Sequence, residues 1–416
     1  MKLLETLFLK ISYYKHFCKN QQNCKDILVS TLAIVYVFFV HIPASEILFF
    51  DFRAIIALIL FFLLYSDLKN ISFANLSIPI LCMISLFFIY MLISISWSLN
   101  MDYGYYKAFG ILLDIVPTIA ISIVLFANSK YLKNEGIVFI TQILGLILTA
   151  LIILQGGLNY ADISKNIFSF GHIGYGRFLG FAFIVGMYAF LKSKEKYSIL
   201  LFTNSIVFFG LFLSGHRSSL FGAFFFSFVL FIANLFISRP FYKETLIKYF
   251  TLIAVSIILV LLFTNKFTDS LTRNKSLLIS SYNDIKSDGS FNARLILYDF
   301  SIMSIKENPF CGVGLGGFNS NDVRKEYFYL KYPHNIFLDI LTEEGAIGFL
   351  LFVSILFLLM VKLPPVIIYW VVLLYGLWLS LFYGVLHDHK LIFVFFYFLI
   401  AKKSYLDEIN QKKITE

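Results

Sequence analysis

Residues 137–155, IVFITQILGLILTALIILQ, form an uncharged, almost wholly apolar run. A hydrocarbon core about 30 Å thick needs about 20 such residues in a helix, so this run is long enough to cross a membrane. Comparable runs recur along the chain at 27–44, 47–65, 77–96, 108–127, 174–191, 197–214, 218–237, 249–265, 346–361, 364–385 and 387–401. The pattern predicts an all-α polytopic membrane protein with about twelve transmembrane helices.

The composition supports this class and excludes others. Of 416 residues, 59% are hydrophobic and 14% are charged, whereas soluble domains average about 45–50% and about 25%. A soluble enzyme and a disordered chain are both excluded. The net charge of +9 is typical of membrane proteins with Lys- and Arg-rich cytoplasmic loops. We therefore expect no nucleic-acid partner.

The positive charges also predict the orientation. With the N-terminus inside, the cytoplasmic segments hold 19 Lys and Arg residues and the short outer segments hold 6, as the positive-inside rule requires. The predicted organisation is a cytoplasmic segment at 1–26, spans one to nine within 27–265, a large periplasmic loop at 266–345, spans ten to twelve within 346–401, and a cytoplasmic tail at 402–416.

The long loop is expected to fold, because structureless loops of such length are uncommon and are often functional. Within residues 292–306, helical spacing of apolar residues predicts an amphipathic helix lying on the membrane surface, with a face formed by Leu295, Tyr298, Ile302 and Ile305. Pro309 should end this helix. A second helix is predicted from Pro333 to a C-terminal cap near Gly345.

Two arginines are candidate anion-binding residues. Arg217 lies in SGHRSS (214–219), among small and hydroxyl residues at the outer end of a span. A planar guanidinium suits phosphate, although an interfacial arginine can also simply anchor a helix. Arg294 lies on the predicted surface helix, where a solvated side chain is the alternative interpretation.

The segment from 308 to 335 contributes further candidates. Glycines in NPFCGVGLGGF (308–318), including Gly314 and Gly316, could expose amides to an anion, or could form a simple turn between helices. His334 can accept a proton near neutral pH, although the residue taken alone favours a capping or interfacial histidine.

Acidic and thiol groups show no metal-ligand spacing. Asp339, Glu343 and Glu344 follow His334 on the second loop helix. Asp114 lies inside a predicted span, where either a functional or a packing role is possible. The triplet His387-Asp388-His389 resembles a metal site but is more typical of an exposed turn, and the four cysteines are scattered. We therefore predict no metal and no cofactor.

Taken together, four motifs resemble the O-antigen polymerase and O-antigen ligase superfamily. They are ISWSLN (95–100), SGHRSSLFG (214–222), NARLILYDFSIMSIKENPFCGVGLGGF (292–318) and PHNIFLDILTEEGAIGFL (333–350). The resemblance implies a glycosyltransferase of the GT-C type in the bacterial inner membrane, with a periplasmic active site. Family members work without metal or nucleotide on a glycan carried by undecaprenyl pyrophosphate.

By position, the resemblance implies that Arg217 and Arg294 bind the pyrophosphate and that His334 activates the acceptor hydroxyl. Asn335, Asp339, Gly314 and Gly316 would support the site. His216, directly before Arg217, departs from the small or polar residue more common in the family. The implied partners are the lipid-linked oligosaccharide, membrane lipid and a chain-length regulator protein.

The shared motifs leave the type of enzyme open. A polymerase joins lipid-linked repeat units, whereas a ligase transfers the finished chain to the lipid A core. The sequences of residues 308–318 and 333–350 look more like those of polymerases than those of ligases. A transporter or flippase is a third possibility, but transporters concentrate polar residues near the midplane, where this chain offers only Asp114.

Overall fold

The computed structural model describes residues 21–39, 52–69, 77–127, 134–154, 171–193, 197–237, 242–263, 289–319, 332–382 and 384–400. Every regular element in these ranges is helical, so the predicted all-α class is confirmed. The helices are α1 (Gln21–Phe39), α2 (Phe52–Lys69), α3 (Ile78–Ser94), α4 (Met101–Gly110), α5 (Val116–Ala127), α6 (Asn134–Leu154), α7 (Gly171–Lys192), α8 (Tyr197–Leu213), α9 (Arg217–Ile237), α10 (Tyr242–Phe263), α11 (Gly289–Glu307), α12 (Ile336–Lys362), α13 (Ile367–Ser380), α14 (Lys390–Phe393) and α15 (Phe396–Ile400).

The helices coincide with the predicted spans. Among the described residues, seven are long and apolar enough to cross a membrane, and five shorter apolar helical stretches lie at Leu28–Val37, Ile55–Tyr65, Ser198–Leu213, Ile367–Ser380 and Lys390–Ile400. The chain is therefore a multi-pass membrane protein. The number of twelve spans and the orientation stay predictions, and the two terminal segments predicted to be cytoplasmic fall mostly outside the described residues.

Helix α7 lies at the centre of the bundle, because it packs against α6, α8, α9 and α13. Its Phe178, Phe183 and Met187 side chains are fully buried. Gly180 allows α13 to approach closely, since a Cβ at this position would lie 2.0 Å from the Tyr375 hydroxyl. This packing fixes the first turns of α7, which carry part of the site.

Helix α11 confirms the predicted loop helix and ends at Glu307, just before Pro309. The predicted apolar face is open to the surroundings, since Leu295 and Ile302 are each 46% exposed, and its contact with a membrane stays a prediction. The helix packs on the protein through another face, where Leu297 and Ser301 are fully buried and Leu297 contacts Phe318 in the turn that follows the helix.

The second loop helix and the tenth predicted span form one kinked helix, α12. Gly345 lies inside it with φ +64° and ψ −166°, outside the helical region. The expected helix end at Gly345 is therefore a break, after which the chain resumes the helix directly.

Candidate functional site

The glycine-rich turn docks into the break in α12. We call residues 309–317 the clip. Its amides donate to carbonyls that the break leaves without helical partners, and its own carbonyls accept from the first amides after the break. The bonds are Val313 N to Thr342 O (3.0 Å), Gly314 N to Glu343 O (2.8 Å), Ala346 N to Pro309 O (2.9 Å) and Ile347 N to Phe310 O (3.2 Å). The clip thus satisfies backbone groups that would otherwise be costly to bury.

The serine-tryptophan motif holds the clip from the other side. Ser98 Oγ donates to the Leu315 carbonyl at 2.8 Å, and Trp97 Nε1 donates to the Cys311 carbonyl at 3.4 Å. Gly314 has φ +80°, and a Cβ there would lie 2.5 Å from the Ser94 carbonyl oxygen. Because the Gly314 amide is bonded to α12, a turn between helices describes this segment better than an anion-binding loop.

A buried charge cluster joins α4 to the first turns of α12. Lys107 Nζ lies 2.9 Å from Asp339 Oδ1 and 2.8 Å from Glu343 Oε1. All three side chains are buried. In this arrangement Asp339 and Glu343 are occupied as partners of Lys107. The cluster fixes the orientation of α12, whose start carries His334.

Replacing Lys107 by alanine should destabilise the protein strongly, by about 3–5 kcal/mol, because two buried carboxylates lose their counter-charge. Thermal unfolding of the detergent-solubilised protein measures this effect. Lys306→Ala is the matched control, since Lys306 is exposed and its loss should change stability by about 0.5 kcal/mol at most. Equal melting temperatures for the two variants would contradict the structural role of Lys107.

His334 lies directly before α12 in a strained backbone conformation. Its φ is +58°, a left-handed value, and it is the only non-glycine residue with positive φ in the described part of the chain. Asn335 is the N-cap, since its Oδ1 accepts from the amides of Phe337 (3.0 Å) and Leu338 (3.3 Å). Backbone strain of this kind is concentrated at functional sites.

Burial and two arginines lower the pKa of His334. Burial is the main cause that lowers the pKa of His334 to about 4; Arg294 and Arg177 lower it further, and Asp388 opposes them. A lowered pKa keeps the imidazole neutral at neutral pH, which is the form able to accept a proton. The structure thus brings the predicted residues Arg294 and His334 into one electrostatic environment.

Arg177 and Asp388 were not among the predicted site residues. Arg177 lies near the start of α7 and is buried, and its Nη1 donates to the Asp388 carbonyl at 3.4 Å. A signal for Arg177 was present in the sequence, because a charge inside a predicted span is a functional candidate by default. Asp388 was noted only as part of the metal-like triplet at 387–389, which was interpreted as an exposed turn.

Arg217 is the first residue of α9, next to this group. A Cβ on Gly176 would lie 2.4 Å from His216 Cβ, so the chain before Arg217 packs directly against the residue before Arg177. His216 Nδ1 and Ser219 Oγ share a hydrogen bond of 2.5 Å. This bond fixes the His216 ring at the start of α9. The starts of α7, α9 and α12 therefore form one end of the bundle, which we call the site end.

The comparison with family models identifies this region. Residues 202–353 match the family described as O-antigen ligase. This match supports the O-antigen ligase and polymerase superfamily for residues 202–353. The match contains Arg217, Arg294 and His334, together with the clip and the break in α12. Comparisons with curated proteins and with solved structures give no match.

A domain of this kind implies a glycosyltransferase-like enzymatic role. The four motifs of the resemblance have distinct places in the structure. ISWSLN holds the clip, the glycines of 308–318 form it, PHNIFLDILTEEG leads into the start of α12, and SGHRSS leads into α9. The motifs thus include much of the scaffold that holds His334 in addition to the candidate chemical groups.

The structure also gives contacts for the other polar residues that the sequence offered as candidates. Asp114, on a π-helical turn at Ile111–Ile115, forms a fully buried ion pair with Lys390, Nζ to Oδ1 at 3.2 Å. His389 is buried, so the expectation of an exposed turn there was wrong: the turn folds back into the bundle. Among the described residues, no group of three or more His, Cys, Asp or Glu side chains is placed to hold a metal ion.

Proposed function

We propose that this protein is a surface-polysaccharide polymerase. It transfers a glycan from undecaprenyl pyrophosphate to a second lipid-linked repeat unit at the periplasmic face of the inner membrane, without a metal. The observation that carries the proposal is the group formed by His334, Arg294 and Arg177, in which a neutral base lies beside two fixed positive charges. The proposed reaction needs both.

In the proposed reaction, the acceptor hydroxyl oxygen attacks the anomeric carbon of the donor sugar. His334 takes the hydroxyl proton, and the bond between that carbon and the pyrophosphate oxygen breaks. The electron pair leaves with the lipid pyrophosphate. Arg217, Arg294 and Arg177 stabilise the charge that develops there, because guanidinium groups match phosphate oxygens in geometry and charge.

The lowered pKa of His334 has a consequence for the catalytic cycle. When the pyrophosphate binds, its negative charge offsets that of Arg294 and Arg177. The pKa of His334 should then rise, which makes the imidazole a better base in the complex than in the free protein. The arginines thus keep the base unprotonated until the donor arrives.

This argument predicts the pH dependence. The acid limb of kcat/KM, which reports the free enzyme, should lie near pH 4 because protonation of His334 abolishes activity and its pKa is lowered to about 4. Arg294→Ala should move that limb upward, toward the ordinary histidine value of about 6.5. Transfer assays across pH measure both limbs, with Lys306→Ala as the control. A wild-type limb near 6.5 would contradict the proposed electrostatics.

The alternative is an O-antigen ligase, the activity that the description of the matched family prints; the match does not separate the two enzymes. Both enzymes use the same donor, so the residues proposed to bind the donor do not distinguish one acceptor from the other. We prefer the polymerase because the sequences of residues 308–318 and 333–350 resemble those of polymerases more than those of ligases. A chain-length regulator protein is the expected partner of a polymerase.

Deleting the gene separates the two functions. Loss of a polymerase should leave lipopolysaccharide that carries a single repeat unit, since transfer of one unit to the lipid A core needs no polymerase. Gel analysis of lipopolysaccharide measures this. Loss of all O-antigen from the core, with long chains accumulating on the lipid carrier, would contradict the polymerase and support the ligase.

A further inference from the structure

Asp114 and Lys390 form a fully buried ion pair between two predicted spans. Lys390 Nζ lies 3.2 Å from Asp114 Oδ1, and neither side chain has exposed surface. The centroid of the Tyr36 ring of α1 lies 4.7 Å from the same Nζ and adds a cation–π contact. Charges within membrane spans are costly to bury and usually serve a function. The pair is therefore a candidate for a role at the site.

The backbone at Asp114 departs from the α-helix. Ile111–Ile115 form a π-helical turn between α4 and α5, and the Tyr36 hydroxyl donates to the Leu113 carbonyl in this turn. Thr118 Oγ1 donates to the Asp114 carbonyl at 2.5 Å. Single π-helical turns within α-helices are rare and frequently lie at functional sites. The turn and the ion pair are thus two separate observations at the same place.

Lys390 directly follows a tight turn at residues 384–389, which we call the arm. The Asp388 amide donates to the Val385 carbonyl at 2.9 Å, and Asp388 Oδ2 accepts from the Val385 amide at 3.1 Å. Gly384 has φ +88°, and a Cβ there would lie 2.8 Å from Asp388 Cβ. Because the arm is closed on itself by these contacts, its position depends on that of Lys390.

The arm contacts the site end through Arg177. Arg177 Nη1 donates to the Asp388 carbonyl at 3.4 Å, and the Tyr375 hydroxyl donates to the Arg177 carbonyl at 3.2 Å. Arg177 is buried, so contacts of this kind set the direction of its guanidinium. A continuous series of contacts thus connects Asp114 and Lys390 to Arg177.

Energetics favour a role of the ion pair in position over a role in stability. Apolar residues of similar volume often replace a buried ion pair without loss of stability, because desolvation of the two charges offsets their attraction. Hydrocarbon contacts are non-directional, however. An ion pair instead specifies which atoms meet and at what distance.

We propose that the ion pair of Asp114 and Lys390 positions the candidate site: it fixes the arm, and the Asp388 carbonyl of the arm directs Arg177 toward the donor pyrophosphate. This inference rests on the proposed function, which supplies the pyrophosphate. Guanidinium binds phosphate through paired N–H groups of fixed geometry, so a change in its direction weakens both contacts. Asp114 and Lys390 are positioning residues, since both are fully buried and act through Arg177.

Removing both charges while keeping their volume tests this role. In Asp114→Leu with Lys390→Met, the melting temperature should stay at or above the wild-type value. Binding of undecaprenyl pyrophosphate to the full-length protein in nanodiscs should weaken about tenfold, which corresponds to losing one hydrogen bond to a charged group. Glycan transfer should fall about 10²-fold, as expected when a group at the site is misplaced by about 1 Å.

A double-mutant cycle with Arg177→Ala separates positioning from general damage. Residues that act through one another have non-additive effects. Removing the ion pair from the Arg177→Ala protein should therefore change the affinity for undecaprenyl pyrophosphate by less than about twofold. A purely structural role would lower the affinity by the same factor in both backgrounds.

A buried lysine at the opposite end of α7 supplies the control. Lys248 Nζ donates to the carbonyl of Ser193, just after α7, at 2.6 Å. Lys248→Met should keep the wild-type affinity and transfer rate. Asp114→Asn with Lys390→Met preserves the shape of the aspartate and serves if the first variant does not fold, with monodispersity on gel filtration as the criterion of folding.

Three outcomes would overturn the inference. The first is a folded variant without the ion pair that keeps the wild-type affinity and transfer rate. The second is an equal loss of affinity with and without Arg177. The third is a loss of the same size in Lys248→Met, which would make the effect a general consequence of replacing a buried lysine.

Binding of undecaprenyl pyrophosphate needs no turnover, so failure of the inference is distinguishable from failure of the proposed function. A wild-type protein that binds this lipid but transfers no glycan would refute the polymerase, and the binding cycle would still test the ion pair. A wild-type protein that transfers glycan, in which the two losses multiply, would refute the positioning role alone.

Discussion

Replacing His334 by alanine is expected to lower the rate of glycan transfer by about 10²–10⁴-fold, the usual contribution of a general base. The lipid-linked donor should still bind, because Arg217, Arg294 and Arg177 remain. A purified, reconstituted variant assayed with lipid-linked repeat units gives the rate, and equilibrium binding of the donor gives the affinity.

The backbone at His334 provides controls that separate chemistry from strain. At φ +58° alanine is unfavourable, whereas asparagine and glycine tolerate the left-handed region. His334→Asn and His334→Gly should therefore keep the wild-type melting temperature and still lose transfer. A His334→Asn variant with the wild-type rate would show that His334 has a conformational role only.

In that case the search for a base would not turn first to Asp339 or Glu343. Both carboxylates are buried against Lys107, and a base must be free to reach the acceptor. Asp388, which acts electrostatically on His334, would be the next residue to test.

The second large effect concerns the arginines. Arg217→Ala or Arg294→Ala should reduce transfer by about 10²–10³-fold, the loss typical when one donor to a developing oxyanion is removed, and should also weaken donor binding. Lysine retains the charge but loses the paired N–H geometry, so Arg217→Lys and Arg294→Lys should remain strongly impaired. Rates and donor affinities of the reconstituted variants measure both effects.

The same helix supplies a control for Arg294. Lys306 lies on α11 with its side chain exposed, and Lys306→Ala removes one positive charge from that helix without touching the site. It should transfer at the wild-type rate. If Arg294→Ala also kept the wild-type rate and affinity, Arg294 would be a solvated surface residue. Arg177→Lys should resemble Arg294→Lys.

Local sequence signals were sufficient to predict most of the fold. Long apolar runs form helices in a membrane because the backbone must satisfy its own hydrogen bonds there. The runs at 137–155 and 174–191 therefore predicted helices, and both are helical in the structure as α6 and α7. Pro309 and Gly345 marked real interruptions because their backbone requirements are local.

The missed features depend on contacts between distant parts of the chain. Lys107 meets α12 more than 200 residues later, and no local pattern indicates that pairing. The buried face of α11 is set by Phe318 rather than by its own periodicity. Gly345 looked like a helix end, but the clip satisfies the broken backbone and lets α12 continue. Arg294 and His334 were paired through the family resemblance, whereas the proximity of Arg177 to them depends on the packing of α7.

The most direct test of the account is a transfer assay in proteoliposomes that contain only the purified protein and undecaprenyl pyrophosphate carrying a single repeat unit. We predict that the wild-type protein produces a ladder of longer lipid-linked glycans and releases undecaprenyl pyrophosphate in equal molar amount to the bonds formed, also in the presence of a chelator. The His334→Asn protein should bind the donor and form no ladder. A wild-type protein that binds the donor but forms no ladder, and transfers the unit only when lipid A core is added, would contradict the polymerase.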